Sequence, residues 1–346
     1  MNKVRLNKKN TGKLCIFILA VFLIFSLTFY LNSCKEYLEK RGGVAEERVE
    51  VELKIEEGMT LREVSKLLEE KGVIDSSFFF RLYVEQKGKA ESLIPGKYKF
   101  KTGSDYESVL DEITSGPQVV TYKFVIPEGY IVEQIVRRVA DELPFIEYSD
   151  LLEAIDINNY NYDFLKNVTS LEGFLFPKTY EVNIDYSAKN IIEMMLAQYR
   201  FEIGVLDYSF AEEHNLSPYE ILIIASMIER EAYIAEEREL ISAVIHNRLE
   251  IDMLLQIDAT LTYDLGKWDE GINDSDKEID SSYNTYIYTG LPPTPISNPG
   301  LACIKAALDP ADEDYLYYLV DDPEKHSHSF SYTLEEHNEK LQNNSN

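Results

Sequence analysis

The stretch Ser217-Pro-Tyr-Glu-Ile-Leu-Ile-Ile-Ala-Ser-Met-Ile-Glu-Arg-Glu231 is an apolar run that gains two acids at its end. Ser217 is a good N-cap, Pro218 suits the first helical position, and Glu220 stands three residues after the cap, so a helix is predicted to start here. Ile221 to Ile228 is apolar on nearly every face, the pattern of a helix enclosed by its own domain. Glu229 follows Leu222 by two turns and Ala225 by one and therefore shares their face. On a dry face, desolvation raises a carboxyl pKa and keeps the proton on near neutral pH, as a general acid requires. Read from this segment alone, the commoner alternative stays open, in which Glu229, Arg230 and Glu231 are the solvated end of a buried helix. Glu231 points about 200° round the helix from Glu229, so both face one ligand only if the helix ends between them.

Upstream of this helix, a strand, a Glu-Gly turn and an apolar helix stripe recur. Val49 to Ile55 alternates like a strand, Glu57-Gly58 turns, and Thr60 opens a helix with Leu61, Val64, Leu67 and Leu68 on one side. Lys123 to Gly129 with Ile131, Val132, Ile135, Val136 and Val139 repeats the pattern, and Phe100 to Ile113 is a degenerate third copy. Such units resemble LysM-type glycan-binding modules, although repeated packing alone accounts for the pattern as well. Helices are expected at 150–155, 188–203, 209–215, 236–249 and 333–341, and a buried strand at 314–320. Turns and short strands are expected after residue 250, with a rigid proline-rich loop at Gly290 to Gly300.

The N-terminus differs in character. Lys3, Arg5, Lys8, Lys9 and Lys13 precede an uncharged run from Leu14 to Leu31, which at about 1.5 Å per residue just spans a bilayer core. The cations would hold that end in the cytoplasm and place the rest outside. A cleaved signal peptide, or lipoprotein processing at Cys34, are the competing readings, and both also export the remainder. Residues 1–13 are thus read as a cytoplasmic basic segment, 14–34 as an anchor and 35–48 as a linker. Residues 49–120 form the module region and 121–341 a second domain, with its own strand-turn-helix repeat at 121–145 and a core at 146–341. The fold class is α+β.

With 45% hydrophobic residues, 24 Tyr and 16 Phe, the chain can build real cores. Its net charge of −27 becomes about −32 beyond the five N-terminal cations, a surface that repels nucleic acid. Three cysteines, two of them in or beside the apolar run, imply no disulfide framework, and Cys303 reads as a small buried hydrophobe. His326, His328 and His337 lack metal-ligand spacing and read as exposed polar residues. No nucleophile elbow or phosphate-binding glycine loop appears, and no cofactor is expected.

Seven segments in order carry a specific likeness: Glu172-Gly-Phe-Leu-Phe-Pro-Lys-Thr-Tyr180, Ala225-Ser-Met-Ile-Glu-Arg-Glu231, His246-Asn-Arg-Leu249, Leu255-Gln-Ile-Asp-Ala-Thr260, Tyr283-Asn-Thr-Tyr286, Gly290-Leu-Pro-Pro293 and Ile296-Ser-Asn-Pro-Gly300. Together with the N-terminal regions they resemble the MltG (YceG-like) endolytic murein transglycosylases over nearly the whole chain. The resemblance implies a membrane-anchored lyase cutting peptidoglycan strands between N-acetylmuramic acid and N-acetylglucosamine to leave 1,6-anhydro ends. It implies peptidoglycan synthase or division proteins as partners, and it implies Glu229 as the catalytic acid and base. Gln256 and Asn284 are neutral groups suited to acetamido or hydroxyl contacts, and Tyr283 and Tyr286 offer ring faces to sugars. Each of these four also suits a turn or core position. Glu172 is either a further site carboxylate or the start of a tight turn at Gly173. Asp258 is the rival carboxylate, which with Glu229 would make a two-acid muramidase. A non-catalytic wall tether is the rival of another class.

Overall fold

A computed structural model describes residues 48–117, 120–322 and 324–344, together with Val21. Apart from Val21 and Arg48, the expected basic segment, anchor and linker lie outside the described residues. Among the described residues no helix is long and apolar enough to cross a membrane. The chain divides into two compact units at residues 119/120.

In the first unit, β1 (Glu50–Ile55) pairs antiparallel with β2 (Gly96–Lys101), placing Leu53 opposite Tyr98 and Val51 opposite Phe100. Alternation sends Leu53, Ile55, Tyr98 and Phe100 inward. Three helices complete the core: α1 (Leu61–Glu70), α2 (Ser77–Gln86) and α3 (Tyr106–Ser115). Thr60 and Glu63 form the capping box that starts α1, and Val64 and Leu68 are fully buried beneath it. The first and third strand-turn-helix copies are therefore partners in one sheet.

The second unit begins with β3 (Thr121–Val125) and α4 (Val132–Glu142), the remaining copy. The partner of β3 is distant in sequence, β4 (Thr179–Asn183), with Phe124 opposite Tyr180. Helices α5 (Tyr148–Ala154), α6 (Ala188–Ile203) and the short α7 (Ser209–Glu213) lead to α8 (Pro218–Glu231). Ser217 and Glu220 form the expected capping box of α8, and all eight residues from Ile221 to Ile228 are buried. At about 1.5–3 kcal/mol for each large buried side chain, this helix is a main source of the unit's stability.

Two neighbours of α8 are α9 (Arg238–Glu250) and α11 (Leu301–Leu308). Helix α11 and α10 (Asp258–Leu265) are additional to the turns and short strands expected between residue 250 and the last helix. Neither helix has a side-chain N-cap bond, since Ile257 precedes one and Gly300 the other, so their starts carry no ordinary signal. The hairpin of β5 (Tyr317–Asp322) and β6 (Ser327–Ser331) is followed by α12 (Leu334–Asn344). The expected strand at 314–320 thus begins three residues later, and the fold is a mixed α+β one with small two-stranded sheets.

The proline-rich loop is stitched to the middle of α8. Ser226, fully buried, donates to the Ile223 carbonyl (2.7 Å) and accepts the Ile296 N–H (3.0 Å), while the Ser297 hydroxyl donates to the Ser226 carbonyl (3.2 Å). A serine inside an otherwise apolar helix therefore serves a loop whose buried backbone needs partners. Gly173 fits beneath the same loop at φ +88°, where a Cβ would stand 2.7 Å from Pro295 and 3.0 Å from Leu222.

Candidate active site

Glu229 lies in the last turn of α8, half-buried, where the apolar face meets the surface. Its Oε2 accepts the backbone N–H of Gly300 at 2.9 Å, and the Cys303 thiol one turn further on also donates to it. Burial pushes its pKa above the ordinary glutamate value, and the nearby Glu128 carboxylate pushes the same way. The Gly300 and Cys303 bonds and the Arg238 charge oppose this rise without cancelling it. Cys303 is buried, and burial followed by Glu229 drives its thiol pKa up, so it is a proton donor and not a thiolate nucleophile.

Glu231 belongs to different surroundings. Tyr318 donates to it at 2.9 Å, and the charges acting on it are those of His328, Asp258 and Arg230. Helix α8 runs unbroken through both acids, so they do not converge.

Glu172 is 4% exposed and acts as an internal tie. It accepts the Val132 N–H at the start of α4 (3.2 Å to each oxygen), the Asn298 amide (2.9 Å) and the Tyr263 hydroxyl (3.3 Å). Burial outweighs these bonds and pushes its pKa up to about 8. Asn298 extends the tie, because its Oδ1 takes the Leu175 N–H at 2.8 Å and its Nδ2 also donates to the Tyr130 carbonyl at 2.9 Å.

The segments bearing Gln256, Asp258, Asn284 and Tyr286 do come together. The Gln256 N–H donates to the Thr285 carbonyl (3.0 Å), the Ile257 N–H to the Thr285 hydroxyl (3.0 Å) and the Tyr286 hydroxyl to Asp258 (2.6 Å). Gln256 and Asp258 are exposed, and Lys277 lies 3.7 Å from Asp258 and over the Tyr286 ring at 4.6 Å. Asn284 is fully buried, its amide donating to the Lys277 and Ile279 carbonyls and its oxygen accepting the Tyr286 N–H, so it holds the loop. Tyr283 bonds Thr294 at 2.8 Å and packs against Tyr263. Asp258 thus sits with Glu231, Tyr286 and Lys277, while the charges acting on Glu229 are those of Glu128 and Arg238.

His328 is not the exposed histidine expected. Its ring is largely buried and its Nδ1 lies 2.7 Å from Glu237. Among the described residues no group of three or more His, Cys, Asp or Glu is arranged to hold a metal ion. Sequence reasoning missed Glu128, Arg238 and Gly300 as neighbours of Glu229; only the Glu-Gly turn hinted at the first.

The family model described as the YceG-like family matches residues 53–343. A protein of Bacillus subtilis (strain 168) described as an endolytic murein transglycosylase is 34% identical over 323 residues, 89% of this chain and 87% of that one. A Streptococcus pneumoniae (strain R6) protein of the same description is 31% identical over 302 residues, covering 77% of this chain and 53% of that one. A crystal structure of a putative YceG-like protein from Listeria monocytogenes superposes with a TM-score of 0.57 at 33% identity, over 85% of this chain and 99% of that one.

Proposed function

The chain belongs to the YceG-like family, and from that premise we propose that it is an endolytic murein transglycosylase, a lyase that cleaves glycan strands between N-acetylmuramic acid and N-acetylglucosamine. The observation that carries the chemistry is Glu229, a half-buried carboxyl with a raised pKa at the rim of an apolar helix. Protonated Glu229 donates to the glycosidic oxygen as the bond to C1 breaks. Its carboxylate then takes the proton of the muramyl C6 hydroxyl as that oxygen bonds C1, closing the 1,6-anhydro ring. The proton returns to its origin and no water is consumed. The neighbouring N-acetyl carbonyl can support the positive C1 between the two steps, so a second protein nucleophile is not required.

Gln256 and Asp258, both exposed, are proposed to meet sugar hydroxyls, and Tyr286 with Tyr283 to offer ring surface. Mass spectra of fragments released from purified sacculi by the full chain test the reaction: products one water lighter than hydrolytic ones are expected. Reducing ends carrying oxygen from labelled solvent would overturn it.

The uncharged run at 14–31 behind five cations supports single-pass anchoring, with the N-terminus in the cytoplasm and Glu229 outside. Retention in membranes through an alkaline carbonate wash, lost when 14–31 is deleted, is the expected behaviour. The strand-turn-helix pattern of residues 49–120 supports glycan contact by the first unit. Pelleting of the Glu229→Gln chain with sacculi, compared with and without that unit, tests this.

A further inference from the structure

Two loops frame the Glu229 carboxyl from outside its own helix. One is the turn Pro127-Glu128-Gly129 between β3 and α4, and the other is Ser297 to Gly300 before α11. They are bonded to each other, the Gly129 N–H to the Asn298 carbonyl at 2.9 Å and the Asn298 N–H to the Tyr130 carbonyl at 2.8 Å. Gly129 lies against Glu229 so closely that a Cβ there would stand 3.5 Å from Glu229 Cγ. Gly300 donates its N–H to Glu229 on one side, and on another a Cβ at Gly300 would fall 1.9 Å from Glu128 Oε1. From ordinary backbone dimensions, the Glu128 and Glu229 carboxyls are then no more than about 7 Å apart across one glycine. Glu128 itself is exposed.

Resting on the reading of Glu229 as the proton carrier, we infer that Glu128 is a second carboxylate of this site and acts through Glu229, its negative charge keeping the proton on that acid until the glycan arrives. The other groups facing Glu229 are the Cys303 thiol from α11 and the Arg238 guanidinium from the start of α9, while Arg230 on α8 itself lies over the Trp268 ring at 4.8 Å and reaches the Gly129 carbonyl of the Glu128 turn at 3.5 Å. Arg238 pulls against Glu128, so removing Glu128 leaves the cation unopposed. A charge within about 7 Å of a half-buried carboxyl is strong enough to shift its proton equilibrium noticeably. Glu128 is thus a positioning residue for the proton, with no bond to sugar required of it.

The test compares pH–rate profiles of anhydro-product release from sacculi by the full chain, by Glu128→Gln and by Glu128→Asp. The ratio of turnover on the acid side to turnover on the alkaline limb should rise roughly three- to tenfold in Glu128→Gln, because Glu229 loses its proton at lower pH. Glu128→Asp, which keeps the charge, should restore most of that ratio. A Glu128→Gln profile lowered uniformly, with its alkaline limb in place, would overturn the inference and leave Glu128 a structural part of the turn. The underlying reading fails separately, if Glu229→Gln releases anhydro products at an undiminished rate.

Discussion

At the scale of the residue, Glu229 and Glu172 show two fates of a buried carboxyl. Glu229 keeps one edge at the surface and, as the proposed proton carrier, starts protonated, so activity should fall as pH rises through its raised pKa. Glu229→Gln should lower anhydro-product release by roughly 10²-fold or more and abolish the alkaline limb in what remains, as a pH series on sacculi would read. Glu172 is enclosed, and its folded pKa of about 8 exceeds the unfolded value. The folded state therefore holds a proton that the unfolded chain releases, and the stabilisation is complete below the unfolded pKa and disappears as pH rises through about 8. Denaturant titrations should show wild-type stability falling by up to roughly 1.4 kcal/mol per pH unit in that window, relative to Glu172→Gln. Glu229 was legible because a carboxylate on an apolar helix face calls for an explanation. Glu128 was not, because Glu57-Gly58 has the same local sequence; a Cβ at Gly58 would meet nothing within 4 Å, whereas Gly129 touches Glu229. Only tertiary contact separates the two turns.

At the scale of the element, the coupling of the proline-rich loop to α8 is the feature to perturb. Ser226→Ala leaves the buried Ile296 N–H unpaired and should cost about 1–3 kcal/mol in denaturant unfolding. Gly173→Ala forces a Cβ into Pro295 at a left-handed backbone position and should cost about 2–4 kcal/mol. Helices with good caps and sustained patterns, α1 and α8, could be read in the chain. Helix α11, just eight residues beginning directly after Pro299-Gly300, could not, since the breaker residues that predicted a loop run right up to its N-cap at Gly300. The β3–β4 pairing was hidden for another reason: its residues are more than fifty apart, and period-two alternation does not name a partner.

At the scale of the whole molecule, the charge is the dominant property. The net −27 is unevenly placed: residues 120–346 carry 43 acids against 15 Lys and Arg, so like charges crowd the second unit. The apparent melting temperature should rise with sodium chloride between about 10 and 150 mM, as the screening length falls from roughly 30 to 8 Å, and a flat response would show that the acids are spaced widely enough not to matter. The chain divides into two units at residues 119/120, whereas the change from strand-turn-helix text to longer helices was read at about residue 145, so one copy of that text falls in the second unit. The hydrogen bond from Gly300 has a further consequence, because Gly300 is the residue from which α11 departs. The aligned peptide dipoles of that helix present their positive pole to Glu229 and steady it when ionised, while the apolar wall steadies it when neutral. Opposed influences of this kind bring the two protonation states closer in energy, so the same oxygen can release hydrogen in the first half of a turnover and reclaim it in the second without falling into a trap on either side.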